Sequence, residues 1–69
     1  MTQGAKILRH LIMFGSITPL EALKEYGIMR LASRISELRK QGYKITKVML
    51  KDRNRYGEVV HYAKYVLEA

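Results

Sequence analysis

Residues 18–42, TPLEALKEYGIMRLASRISELRKQG, decide the fold. Thr18-Pro19-Leu20-Glu21 predicts a helix start. A threonine there accepts a hydrogen bond from the backbone N–H of Glu21, and Glu21 reaches back to the N–H of Thr18. Pro19 takes the first helical position, where its missing N–H costs nothing. The helix ends at Tyr26, and Gly27 supplies the left-handed residue that closes a helix C-terminus. A second helical run follows almost at once, over residues 29–41. Ile28, Leu31, Ile35 and Leu38 recur at intervals of three, four and three, which lays one apolar stripe along it. Gly42 terminates it. Two helices joined by three or four residues around a glycine make a helix-turn-helix.

Upstream, Thr2 is a candidate N-cap for a helix over residues 2–14, in which Ile7, Leu8, Leu11, Ile12 and Phe14 fall at helical spacing and which Gly15 ends. Ser16-Ile17 predicts a minimal strand. Downstream of Gly42 the pattern turns extended: residues 43–51 and 59–67 are rich in Val, Ile, Tyr and Thr and alternate with charge, with a polar turn over 52–58 between them. That predicts a hairpin with Ala63, Tyr65 and Leu67 facing inward. The first strand is mixed, because Ile45 and Met49 share one face while Val48 and Leu50 share the other; a bulge near Thr46 or Lys47 would reconcile them. The expected architecture is an α+β winged helix-turn-helix, one domain over residues 1–69, with three helices, a C-terminal β-hairpin and a short third strand at Ser16-Ile17.

Composition excludes several function classes. The 69-residue chain has no cysteine, and its two histidines, His10 and His61, lie far apart with no carboxylate motif beside them, so neither a disulfide framework nor a metal site is expected. No Gly-rich phosphate loop, catalytic carboxylate pair or Ser-His arrangement occurs, so no enzyme activity, cofactor or small-molecule substrate is expected. No apolar run reaches membrane-spanning length, and the expected location is the cytoplasm. Both histidines read as surface or interface residues. Tyr26, Tyr43 and Tyr65 read as core-edge residues with wet hydroxyls, and Tyr56 and Tyr62 as exposed ones.

Charge is the most informative feature. Thirteen Lys and Arg oppose six Asp and Glu, for a net charge of +7. Residues 29–55 hold nine of the cations and two of the anions, so this segment alone carries the whole excess. Charge confined to one region suggests a surface that faces a polyanion. Recognition helices present their N-terminal residues to base edges, which makes Arg30, Ser33 and Arg34 candidates for base reading, beside Met29. Lys40 and Lys44 suit phosphate contacts at the far end. Glu37 has three uses open to it: accepting from a cytosine amino group, orienting Arg34 or Arg30, or pairing with Lys40, the last being the reading adopted. Arg39 lies nearer the apolar stripe and reads as a structural arginine. The hairpin adds Lys51, Arg53, Asn54 and Arg55, read as backbone contacts with minor-groove base reading by Arg53 or Arg55 as the alternative, and Arg53 and Arg55 are expected to be free of any structural task. For Thr18, capping alone explains the residue.

The runs Ile17-Thr18-Pro19-Leu20-Glu21-Ala22-Leu23 and Tyr26-Gly27-Ile28-Met29-Arg30-Leu31-Ala32-Ser33-Arg34-Ile35-Ser36-Glu37-Leu38-Arg39-Lys40-Gln41-Gly42-Tyr43-Lys44-Ile45 resemble a family of short helix-turn-helix proteins encoded by bacteriophages and prophages. The similarity covers residues 7–45, and the hairpin is similar only in its placement and its Tyr65-x-Leu67 ending. The resemblance implies a winged-helix fold and DNA binding in phage gene control or recombination, within a bacterial host cytoplasm. Taken together, these readings predict a sequence-specific double-stranded DNA-binding protein, a phage transcription regulator or a recombination accessory factor such as an excisionase-like protein. The alternative is a winged-helix protein-interaction module that inhibits or recruits a host nucleic-acid machine, and binding of structured RNA is a third reading. The apolar positions Val60, Tyr62 and Val66 on the second strand offer a surface for a homodimer or another protein partner.

Overall fold

The computed structural model describes residues 1–68; Ala69, the last residue of the expected domain, lies outside the described residues. Local signals set most element boundaries. Helix α1 (Gln3–Phe14) starts where the Thr2 hydroxyl accepts from the backbone N–H of Ala5 at 3.1 Å. Strand β1 (Ser16–Ile17) is the expected minimal strand. Helix α2 (Pro19–Tyr26) carries both halves of the Thr18–Glu21 reciprocal cap, at 3.2 and 3.0 Å, and Gly27 follows it at φ 67°. Helix α3 (Leu31–Lys40) ends as expected: Gly42, at φ 104°, donates to the carbonyl of Arg39 while Tyr43 donates to that of Leu38, which closes the last turn.

Strands β2 (Ile45–Arg53) and β3 (Val59–Leu67) form the hairpin, and β1 pairs antiparallel with the other side of β3, giving the sheet order β1-β3-β2. The fold is α+β, a three-helix layer with a three-stranded antiparallel sheet. The sheet meets the helices through one shared core. Ile7 and Leu11 of α1, Ile17 of β1, Ala22 of α2, Ile28 of the turn, Leu31, Ile35 and Leu38 of α3, Ile45 of β2 and Tyr65 of β3 are all buried in it. Each buried Leu or Ile contributes about 1.5–3 kcal/mol, so a chain without covalent staples rests mainly on eight such side chains, with Ala22 and Tyr65 filling the core between them.

Three expectations are corrected. Helix α3 begins at Leu31, not at Met29, because the left-handed Gly27 ends α2 and residues 28–30 are spent crossing to the new axis. Arg30 (φ −108°, ψ 55°) is the non-helical residue at its N-cap, with no side-chain capping bond. The bulge does not form: β2 and β3 stay in register without interruption from Ile45↔Leu67 to Arg53↔Val59. The conflict between faces is resolved by leaving Val48 and Met49 exposed, since the hairpin runs out beyond the core. Finally, Ile12 and Phe14 share helical spacing with the core positions of α1 yet remain exposed.

Candidate nucleic-acid interface

With Leu31, Ile35 and Leu38 turned inward, 100° per residue assigns the remaining positions of α3 to three strips. The outward strip holds Lys40 and Ser36, both exposed, and Ser33, half-buried. One flank holds Arg34 and Glu37, which pair with each other at 3.2 Å and line a depression shared with Leu8 of α1 and its N-cap Thr2. Glu37 therefore pairs with Arg34 and not with Lys40. Arg34 lies half-buried beside α1, with its Nε atom buried and without a hydrogen-bond partner among the described residues. The opposite flank holds Ala32, exposed, and Arg39, whose Nε and Nη2 both donate to the Ile45 carbonyl at 3.0 and 2.8 Å. Met29 and Arg30 stand exposed in the turn before the helix, and Lys44 is exposed after it.

The hairpin tip is more ordered by its own side chains than the composition suggests. The Asn54 Oδ1 atom accepts from the backbone N–H groups of Tyr56 and Glu58, at 2.9 and 3.1 Å, and its amide donates to the Glu58 carboxylate at 3.3 Å. Asn54 therefore builds the turn. Arg53 also braces it, through an Nη1 bond to the Gly57 carbonyl at 2.8 Å, so the expectation that Arg53 has no structural task is corrected. Arg55 and Lys51 are exposed and have no side-chain hydrogen bond or ion pair among the described residues.

Sequence reasoning passed over Lys47. Opposite Tyr65 in the register, it is exposed, and it shares one face of β2 with Lys51 and Arg53, because alternate residues of a strand point the same way. The alternation Lys47-x-Met49-x-Lys51-x-Arg53 was readable from the sequence, but a bulge at Thr46 or Lys47 would have broken that period.

Between α2 and the hairpin lies an open groove of about 660 Å³. Pro19, Leu20, Leu23 and Met29 line one side, and Arg53, Val60 and Tyr62 line the other. Most of these are exposed large apolar side chains.

The surface position expected for His10 is also corrected. His10 is 4% exposed, the buried polar residue of the core. Its Nδ1 lies 2.8 Å from the Tyr26 hydroxyl, and its ring packs against Phe14 and edge-on to Tyr26. The Glu21 carboxylate is 3.6 Å from Nε2, beyond hydrogen-bond reach. His10 thus couples α1 to α2, the first helix of the helix-turn-helix, while His61 is exposed as expected. Among the other aromatic residues, Tyr65 is buried and Tyr26 half-buried, whereas Tyr43 is exposed alongside Tyr56 and Tyr62.

Among the described residues, no cluster of three His, Cys, Asp or Glu side chains is placed to hold a metal ion, and no helix is long and apolar enough to cross a membrane. A family model described as a winged helix-turn-helix domain matches residues 2–69. No curated protein and no solved structure matches the chain.

Proposed function

Because this chain belongs to the winged helix-turn-helix domain family, we propose that it binds double-stranded DNA with α3 in the major groove and the hairpin as a wing on the neighbouring backbone. The observation that carries this reading is the set of unpaired cations. Arg30, Lys40, Lys44, Lys47, Lys51 and Arg55 are exposed on α3, its flanks and the hairpin, and none has a carboxylate partner within 4.0 Å among the described residues. Cations left without intramolecular partners on two protruding elements suit a polyanion that presents phosphates on both sides of a groove.

Within this docking, Arg30 and Ser33 are the polar residues nearest base edges, and Met29 lies beside them. Lys40, Lys44, Lys47, Lys51 and Arg55 neutralise phosphates. Arg53 keeps guanidinium donors beyond the one bound to Gly57 and adds to the wing contact. Asn54 acts by shaping the tip, and Glu37 by holding Arg34 on the α1 side. The resemblance of residues 7–45 to phage-encoded proteins points this activity to phage transcription control or to a recombination accessory role.

Affinity for a random duplex, measured against salt, tests the reading. The plot of log affinity against log salt should fall steeply, with a slope of about −0.9 for each phosphate neutralised. Selection from a random duplex pool would then define the site, and a palindromic result would report a dimer through its half-site spacing. A second reading is favoured by one observation, the apolar groove between α2 and the wing, which suits a protein partner better than a phosphate. Absence of duplex binding at low salt would put that protein-interaction reading in place of the first.

A further inference from the structure

Arg30 is the only arginine of α3 and its entering turn that stays free to reach a base. Arg34 is drawn to the α1 side by Glu37, and Arg39 is bound through two nitrogens to the Ile45 carbonyl. The exposed surface that remains is short and partly apolar. Ala32 and Ser36 are exposed on the helix, and Met29, 85% exposed, stands at its N-terminal entrance. Met29 continues into exposed Leu20 and Leu23 of α2, which line the same groove. An isolated exposed methionine is ordinary. An apolar strip at the end of the helix that leads into a DNA groove needs a matching surface on the DNA, and phosphates and base-edge donors or acceptors do not provide one.

The major groove displays one apolar group, the 5-methyl of thymine. We propose that Met29 and Ala32 contact thymine 5-methyl groups, and that these contacts, together with Arg30, set the base preference. Small residues at Ala32 and Ser36 let the helix backbone approach the base edges closely, and the flexible thioether of Met29 adapts to the methyl it meets. This inference rests on the duplex-binding reading and goes beyond it by naming the chemical group that is recognised.

The experiment uses the full chain and four synthetic duplexes. One alternates A and T, and the second is the same with deoxyuridine for thymidine, which deletes only the methyl. The third alternates G and C, and the fourth has 5-methylcytosine for cytosine, which returns a methyl to the same groove position. The thymidine duplex should bind about fourfold more tightly than the deoxyuridine duplex for each methyl contacted, the factor expected for burying one methyl-sized group. The 5-methylcytosine duplex should likewise bind more tightly than its parent. Met29→Ala, at an exposed position that leaves the circular dichroism spectrum unchanged, should lose affinity for the thymidine duplex and reduce the penalty for deoxyuridine. Ala32→Ser should give a smaller change in the same direction. Equal binding of the thymidine and deoxyuridine duplexes, with salt-dependent affinity intact, overturns the methyl reading and leaves duplex binding standing. An undiminished deoxyuridine penalty in the Met29 variant removes Met29 from the contact. Failure to bind any of the four duplexes overturns both readings.

Discussion

The guanidinium of Arg39 is tied to the main chain of Ile45: Nε and Nη2 both donate to its carbonyl oxygen, at 3.0 and 2.8 Å. The pair spans the reversal at Gly42 and fixes where α3 hands over to β2. Because Ile45 opens the β2–β3 register, the same contact helps aim the hairpin relative to the helix. An arginine in the most basic stretch of the chain is thereby given to the fold.

Arg39→Ala should therefore lower stability by about 1 kcal/mol, since a buried-end carbonyl loses a charged donor whose own head is partly in water. In a domain of this size that is a fall in Tm of about 4–8 °C. Arg39→Lys should recover only part of it, because a single ammonium cannot reproduce two fixed donors. Duplex affinity, corrected for the folded fraction, should stay at the parent value in both; a large affinity loss at unchanged Tm would make Arg39 a DNA contact.

Thr18→Ala removes one half of the reciprocal cap on α2, in which Glu21 N–H donates to the Thr18 hydroxyl at 3.2 Å. Stability should drop by about 1 kcal/mol, while Thr18→Ser should be nearly neutral. Thermal unfolding decides between them. If affinity fell instead with the melting point unchanged, the hydroxyl would be holding a phosphate and not the helix end.

Arg30 and Arg34 separate cleanly by position. Arg30→Ala, at an exposed site in the turn, should cost about 1–3 kcal/mol at a selected DNA site and much less on random duplex. Arg34→Ala should leave affinity close to that of the parent, and the loss of its helix pair with Glu37 should cost only about 0.2–0.5 kcal/mol of stability. The reverse order of effects in a competition binding assay would place the α1 side of α3, and not its N-terminal entrance, beside the DNA.

On the wing, Lys51→Ala and Arg55→Ala should each flatten the log affinity against log salt plot by about 0.9, and the double variant by about 1.8. The melting point should not move, because neither side chain is held by the fold. Arg53→Ala should combine a smaller slope with a stability loss of about 0.5 kcal/mol, from the bond to the Gly57 carbonyl. An unchanged slope in the double variant would take the wing out of the interface.

The elements themselves were legible because their determinants are local. The Thr18–Glu21 cap, the left-handed Gly27 and the closing Gly42 act within one helical turn, and the spacing of Leu31, Ile35 and Leu38 needs no partner to be read. The same reasoning placed β3 at Val59–Leu67 with Tyr65 inward. Charge clustering likewise showed that the excess of cations lies within residues 29–55.

What each basic or polar side chain does was decided by atoms distant in sequence or by backbone groups that no residue code displays. Helical spacing put His10 three residues after Ile7, but the partner of its Nδ1 atom is a phenol sixteen residues further on, at Tyr26. Arg39 required the carbonyl of Ile45, and Arg53 that of Gly57, and a carbonyl is present in every residue. The unbroken register of β2 against β3 settled which face carries Lys47, because a slip of one residue reverses every side chain of a strand. Sequence alone therefore determined the helix-turn-helix, the hairpin and the sign of the surface. Only the tertiary structure divided its cations into those that hold the fold and those left free, because that division depends on which hydrogen-bond acceptors the folded chain brings within 3 Å of each guanidinium.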